Sequence, residues 1–476
     1  MKSIRIIVMF LTYFCLPAIA HSETDAVILS TQTGVKATTR LNLIHTGVTV
    51  ENGDVWVWGY RNQGLQGNGV SFVHWRSVPA RVQKFVDEGL TIMQVAAGRY
   101  HIIALDENGD VWGWGRNYNR QATGGVGTDS IFVATPVKVL SGKRVIDIFC
   151  NEYTSYALTA SGDVWVWGRG NLGETGLNNL QFKQKLQQIP SSFFNDSRVR
   201  TMGVGYRSAY AITRSGTIFA WGVTVSNKFC PENQRSCVYS IKPVRINNAL
   251  VQSNSGISSG QSIKQITGGY GFLTYLTYEG EVFGMGNTLY LPDGKLNENI
   301  NEEDDDDEEW NDNGETEHIE NEDEDEKDAE DDRKDPINIT ESPIPILGKS
   351  AASEKAAAHS IYCRYRGCVA ITKHKSLLTW GIKGCSRLNE ILYGKKLIGS
   401  VVQRKLNGIL TKFDGGMEFL FYWNEDGDVY GVGNGWYYKL DQSSVLDRDW
   451  TAPRVEFLMN AMHDVYGKDH VLGQVQ

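Results

Sequence analysis

At 476 residues the chain is long enough for two or three domains, but a repeat that runs through it assigns nearly all of that length to one body. Its net charge of −9 is unevenly spread: residues 302–335 hold 22 Asp/Glu against three Lys/Arg, a net of −19, which would repel nucleic-acid phosphates. Beyond the N-terminus no stretch is long and apolar enough to cross a bilayer.

Met1 to Arg5 is basic, Ile6 to Leu16 is apolar, and Ala18-Ile19-Ala20 supplies small residues. These are the three parts of a secretory signal peptide, expected over residues 1–20. The mature chain then begins near His21 and is secreted, or lumenal or periplasmic. Residues 21–40 are a polar lead-in without pattern. Of the seven cysteines, Cys15 leaves with the signal, and an even six in an exported chain favours disulfides. The short loop makes Cys230 with Cys237 the first expected pair, Cys363 with Cys368 the next, and Cys150 with Cys385 follows by elimination. No Cys-x-x-Cys or His-x-x-x-His spacing accompanies them, so no metal site is expected. Asn195-Asp-Ser and Asn338-Ile-Thr would be glycosylation acceptors in a eukaryotic source.

From residue 41 to the C-terminus the chain is organised by Gly109-Asp-Val-Trp-Gly-Trp-Gly115 and its variants. These start at Gly53, Gly162, Gly216, Gly280, Ser376 (one residue short) and Gly427. Before each lies an alternating stretch such as His101-Ile-Ile-Ala-Leu-Asp, and the anchor alternates again after the turn. Two period-2 runs joined by Asn-Gly, Asp-Gly or Ser-Gly form a β-hairpin. Seven hairpin-bearing units of about 50 residues suit an all-β, seven-bladed β-propeller, in which no unit buries its own apolar face. The anchor tryptophans, among them Trp56, Trp58, Trp112, Trp114, Trp165 and Trp167, are expected to pack between blades. The recurring Asp54, Asp110, Asp163 and Asp428 are assigned to turns.

Gly- and Asn-rich loops follow the anchors, as in Gly59 to Gly67 and Gly168 to Gly176, and need residues that accept positive φ. A proline-bearing strand then recurs at Val78-Pro, Thr135-Pro, Lys242-Pro and Ala452-Pro, which suggests an outer, edge-like strand. Residues 298–355 interrupt the pattern as an acidic, disordered insertion, with Ser342 to Lys355 as a polar linker. Without the acidic run and the two basic residues Lys2 and Arg5, the body carries about +8, so a tethered acidic loop would be able to screen a basic face.

The order glycine, two residues, histidine, alternating strand, Gly-Asp-Val-Trp-x-Trp-Gly, Gly/Asn loop and proline strand resembles the repeat of the regulator of chromosome condensation family. The match is sharp in repeats 2 to 4, recognisable in 1, 5 and 7, and degraded in 6, where Cys368 stands at the histidine position. His45, His101 and His470 keep that histidine, with a core-facing role expected. Gly467-Lys-Asp-His470 starts an eighth copy, so N- and C-terminal strands should close the ring, which removes exposed sheet edges. The resemblance implies a seven-bladed propeller.

Chemistry is sparse. Gly256-Ile-Ser258-Ser-Gly260 fits a nucleophile elbow by letter but lacks strand-to-helix context. Gly168-Arg-Gly170-Asn-Leu-Gly173 fits a dinucleotide fingerprint by letter, yet no helix follows. No catalytic residue, cofactor or metal is expected. What remains is a surface: the residue pairs between the glycine and histidine positions should gather in loops on one face. They are Arg99-Tyr100, Glu152-Tyr153, Tyr206-Arg207, Tyr270-Gly271, Arg366-Gly367, Met417-Glu418 and Lys468-Asp469. Tyr and Arg dominate binding hot spots, and such loops would have little core to enter. The expected function is a secreted or lumenal protein-binding scaffold, a monomer with a protein partner and no nucleic acid. An inhibitor or adhesion-type role refines this, since some secreted propellers resembling the family inhibit extracellular enzymes. By family analogy the alternative is a guanine nucleotide exchange factor for a small GTPase with chromatin contact. A third reading is an extracellular carbohydrate-active enzyme or lectin, for which Glu152, Glu418 and Asp469 are the available carboxylates.

Overall fold

The computed structural model describes residues 39–41, 46–59, 62–71, 79–223, 239–246, 263–269, 271–287, 291–292, 296–297, 339–347, 357–364, 367–381, 401–404, 406–415, 419–433, 454–468 and 470–472. Each anchor folds as the second arm of a hairpin. In the second repeat His101–Asp106 turns back as Val111–Arg116, with Ile102 opposite Trp114 and Ala104 opposite Trp112. Ile92–Ala97 joins on one side of this hairpin and Phe132–Leu140 on the other, completing a blade with strands A to D in chain order. The same order recurs in blades 3 to 6, and seven sheets form in all, giving an all-β, seven-bladed propeller.

The D strands carry the prolines. Pro136 lies in Phe132–Leu140 and Pro243 in Tyr239–Arg245, both on the outer edge of their sheets, where a missing N–H interrupts no ladder. Ile339–Leu347 is the D strand of blade 5, paired with Val282–Asn287. The insertion therefore gives way to the propeller by Ile339, and the stretch expected to be linker from Ser342 is strand as far as Leu347. Residues 298–338 lie outside the described residues, as do the signal segment and the lead-in as far as 38.

The recurring aspartates are held by more than their turns. Asp110 Oδ2 accepts a bond from Lys138 Nζ at 2.8 Å, Asp54 Oδ2 one from Arg81 Nη1 at 3.2 Å, and Asp428 one from Arg454. In each case strand C is tied to the basic residue of the proline-bearing segment.

Five blades pack through the tryptophan that precedes the last glycine of the anchor. Trp58, Trp114, Trp167, Trp221 and Trp380 are fully buried, as expected. Trp114 Nε1 donates to Leu65 O in the preceding blade at 2.8 Å, and Trp221 Nε1 to Glu174 O at 3.0 Å. Gly176 is where that tryptophan passes: its φ is +67°, and a Cβ there would sit 2.8 Å from Trp221 Cδ1.

Repeat 6 is not short. Lys375, at φ +62°, holds the left-handed position that Gly109 holds at +79°. Counting from Lys375 puts Gly367, opposite Gly381, at the histidine position, as His101 is opposite Gly115. Cys368 is one residue further on. In blade 1 a tighter turn over Asn52 and Gly53, both at positive φ, brings Thr46 opposite Gly59, and His45 lies outside the described residues.

Cys363 and Cys368, directly opposed on strands A and B of blade 6, form a disulfide. Cys150 does not join Cys385: it is a buried thiol 3.6 Å from Ser155 Oγ, and burial pushes its pKa up to about 12. Cys230, Cys237 and Cys385 lie outside the described residues.

At the N-terminal end Thr39–Leu41 runs parallel to the A strand of blade 2, Thr39 opposite Val95. The expected C-terminal closing strand does not form among the described residues 467–468 and 470–472, and a helix, Glu456–Tyr466, precedes them. Val455, Leu458, Met459 and Met462 recur at helical spacing and pack with Trp56 and Trp58 of blade 1 and Phe421 and Trp423 of blade 7. Tyr466 Oη accepts the Trp56 indole N–H at 3.0 Å and lies 2.8 Å from Asp54 Oδ2. A buried pair, Lys412 Nζ to Glu51 Oε2 at 3.1 Å, joins blade 7 to blade 1 beside His470, whose Nε2 is 3.5 Å from Glu51 Oε1.

Candidate binding face

Because blades 2 to 6 each run as an A-to-D meander, their A-to-B and C-to-D connections emerge at one end of the ring and their B-to-C turns at the other. At the first end successive A-to-B loops bond to one another. Arg99 N–H donates to Glu152 O at 2.8 Å, Glu152 N–H to Tyr206 O at 3.5 Å and Tyr206 N–H to Gly269 O at 3.4 Å. Each C-to-D connection is tied to the A-to-B loop beneath it, Arg116 N–H to Tyr100 O at 2.8 Å and Arg169 N–H to Tyr153 O at 2.9 Å. The result is a collar of loops fixed by backbone hydrogen bonds across blades 2 to 5.

The side chains of this collar are more buried than the sequence suggests. Tyr100 and Tyr153 are each only 4% exposed, Glu152 2% and Arg207 8%, while Arg99 and Tyr206 are half-buried. The loops do have a core to enter, because cations and rings cover one another within blades 2 and 3 and across the seam between them. Arg99 and Arg116 lie over Tyr100, at 5.6 and 5.8 Å from its ring centroid. Arg99 Nη1 reaches Tyr153 Oη at 3.5 Å. Arg169 lies over Tyr153 and Phe182 at 5.2 and 5.4 Å, Phe182 meets Tyr118 edge-on at 6.3 Å, and Lys183 Nζ sits 3.7 Å from the Tyr118 centroid. Toward blade 4, Arg207 Nε donates to Glu152 Oε2 at 3.2 Å, and its guanidinium lies over Tyr206 at 5.3 Å. Burial is the largest single influence and works against the Arg207 charge, but Glu152, Tyr206 and Glu174 together outweigh it and hold the guanidinium above its ordinary pKa. Burial pushes the Glu174 carboxyl up.

Of the other expected face residues, Tyr270, Arg366, Glu418 and Asp469 lie outside the described residues. Lys468 is exposed, but it follows the C-terminal helix rather than an A strand, so it is not in an A-to-B loop. Arg116, Tyr118, Arg169, Phe182 and Lys183 were not among the sequence candidates. Arg116 and Arg169 each directly follow the last glycine of an anchor, a signal present in the sequence.

The described groups gathered here are cations, aromatic rings and backbone amides. Glu152, engaged by Arg207, is not placed as an acid or base, and Gly256 to Gly260 lie outside the described residues. The Gly168 to Gly173 loop precedes Gln184–Gln188, a strand and not a helix. Among the described residues no group of three His, Cys, Asp or Glu is placed to hold a metal ion, and no helix is long and apolar enough to cross a membrane. Asn195 is exposed at a left-handed φ of 54°, and Asn338 lies outside the described residues.

Two family models, both described as the regulator of chromosome condensation (RCC1) repeat, match this chain, one at residues 92–121 and 145–174 and the other at 52–105. The RCC1 domain-containing protein RUG3, mitochondrial, of Arabidopsis thaliana is 30% identical over 186 residues, covering 37% of this chain and 40% of that protein. The ultraviolet-B receptor UVR8 of the same plant is 25% identical over 243 residues, covering 51% of each. The chain thus spans about half or less of the length of these relatives. Among solved structures, human WBSCR16 superposes with a TM-score of 0.60 at 16% identity, covering 82% of this chain and 88% of that one. Yeast RCC1 (Prp20) bound to Kap60 does so at 0.57 and 16%, covering 89% and 82%. At such identities these structures show a shared fold. With its anchors, its blades and these matches taken together, the chain carries RCC1 repeats within residues 52–121 and 145–174 and folds as a seven-bladed propeller.

Proposed function

We propose that this chain is an exported, protein-binding scaffold whose recognition face is the end of the ring formed by the A-to-B and C-to-D loops. The observation that carries the reading is the connected run of cations and rings from Arg116 through Tyr100, Arg99, Tyr153, Arg169, Phe182 and Tyr118 to Lys183. Arg and Tyr on a backbone fixed by loop-to-loop hydrogen bonds supply hot-spot chemistry at low ordering cost. Export rests on the signal-like residues 1–20. An inhibitory or adhesive role is the refinement that suits an extracellular scaffold.

The test is affinity capture with residues 21–476 from extracellular extract, beside a folded variant carrying Arg116→Ala, Tyr118→Ala and Lys183→Ala. A specific protein retained by the first and lost by the second supports the reading. Retention by both moves the face elsewhere, and turnover or retention of polysaccharide in its place favours the carbohydrate reading.

The exchange-factor reading draws on the RCC1-repeat matches and on the structure of yeast Prp20p, reported with its binding to Gsp1p and histones. It requires a cytosolic or nuclear chain. Accelerated nucleotide release from a small GTPase, together with an N-terminus retained on the protein isolated from cells, would establish it over the scaffold.

A further inference from the structure

The acidic run is attached at the same end of the ring as the cationic collar. It lies in the C-to-D connection of blade 5, since Val282–Asn287 is strand C and Ile339–Leu347 strand D, and Asn287 pairs with Ile339 at the collar end of that blade. Before the run, Leu296–Asn297 pairs in parallel with the first two residues of Val401–Arg404, the start of strand D in blade 6 and again at the collar end. Both points of attachment are therefore on the face that holds Arg99, Arg116, Arg169 and Lys183.

The two charge distributions are complementary. In the described A-to-B and C-to-D loops, Arg99, Arg116, Arg120, Arg169, Lys183 and Arg207 stand against Asp129, Glu152 and Glu174. Glu152 is engaged by Arg207, and Asp129 is bonded to Arg120 at 3.0 Å. Residues 302–335 carry −19. Reach is no obstacle. At ~3.3 Å per extended residue the middle of the run extends roughly 70 Å from either anchor, against a radius of gyration of about 23 Å for a folded chain of this length. A tether of this kind also holds its segment at an effective concentration on the order of millimolar.

We propose that residues 302–335 occupy the cationic loop face in cis and compete there with the protein partner. The inference rests on the scaffold reading in placing the partner on this face. Occupancy would be electrostatic and would weaken with ionic strength. A partner then binds only where its own contacts, acidic or aromatic, displace the tethered segment.

The test uses a synthetic peptide of residues 302–335 and three forms of the chain. These are the natural chain, one with 302–335 replaced by a neutral Gly/Ser run of equal length, and the neutral-run form carrying Arg116→Glu and Lys183→Glu. Fluorescence anisotropy should show the peptide binding the neutral-run form at least tenfold more tightly than the natural chain, and losing that binding in the charge-reversed form. In the natural chain, carbodiimide cross-linking should join the acidic run to Lys183 in preference to Lys143, which lies at the other end of the ring, and this should fade in high salt. Equal peptide affinity for natural and neutral-run forms, binding that survives charge reversal, or cross-links spread evenly over both lysines would overturn the proposal. If the neutral-run form binds no peptide yet still captures a protein partner, the cis occupancy fails and the scaffold reading stands. If it captures neither, both fail.

Discussion

The indole of Trp114 in blade 2 donates its Nε1–H to the carbonyl of Leu65 in blade 1 at 2.8 Å. Both groups are buried, so the bond replaces two lost water contacts and also fixes the Gly-rich loop under the next blade. Trp114→Phe keeps much of the packing but strips the donor, and should cost about 1–3 kcal/mol. Trp114→Ala should cost ~3–5 kcal/mol. Trp167 is equally buried, but its Nε1 has no hydrogen-bond partner, so Trp167→Phe should cost less than Trp114→Phe. Urea unfolding followed by circular dichroism gives the comparison, and equal losses would show that the hydrogen bond contributes nothing beyond ring packing.

Two glycines at nearly the same dihedral separate backbone strain from collision. Gly176 (φ +67°) faces Trp221 Cδ1, with only 2.8 Å left for a Cβ, whereas Gly142 (φ +66°) has nothing within 4 Å. Gly142→Ala should therefore cost the left-handed strain alone, about 1–2 kcal/mol. Gly176→Ala should add roughly 1–3 kcal/mol of overpacking and disturb the Trp221 to Glu174 bond. Thermal midpoints of the two variants measured side by side would reveal the difference.

Fold class was legible because the hairpin period is a local signal repeated seven times, with tryptophan in five of the anchors, and repetition averages out local irregularities. What was not legible depended on partners distant in sequence. The pairing of Asp110 with Lys138 is readable only once strands C and D are known to be neighbours, so the aspartates look like turn residues. Lys375 at a glycine position hid the register of repeat 6. Pro343 and Pro345 mark a D strand, but the acidic run just before them obscured it. Tyr100 and Tyr153 resemble exposed loop residues until Arg99, Arg116 and Arg169 are seen to cover them. The C-terminal helix had a readable spacing in Leu458, Met459 and Met462, which the expectation of an eighth repeat displaced.

Glu152 and Arg207 form a buried ion pair between blades 3 and 4, with side chains 3% and 8% exposed. Removing one partner leaves the other charge in a site that excludes water, so Glu152→Gln should destabilise by about 3–5 kcal/mol. Replacing both, as Glu152→Leu with Arg207→Met, removes the unpaired charge and should cost less than the two single changes summed. A double-mutant cycle by chemical denaturation measures the coupling. Additive losses would mean that the pair is not a unit and that the collar holds blades 3 and 4 together by its backbone bonds alone.

His101 gives the structure an acid-sensitive point. Its ring is wholly buried, Nε2 lies 2.8 Å from Ser155 Oγ, and desolvation lowers its pKa from 6.5 to about 3. The folded state therefore holds the neutral imidazole, while the unfolded chain takes up a proton near pH 6.5. Because unfolding binds the proton, the stability attached to this site is fully present above pH 6.5 and is lost as the pH falls from there toward about 3. Within that window the loss approaches ~1.4 kcal/mol per pH unit. His101→Gln keeps a group able to bond Ser155 but cannot titrate, so its stability should fall less steeply between pH 6.5 and 4 even if it starts lower. Denaturation midpoints of both forms across that range decide the matter, and parallel curves would mean that the ring is hydrated or already charged in the folded protein.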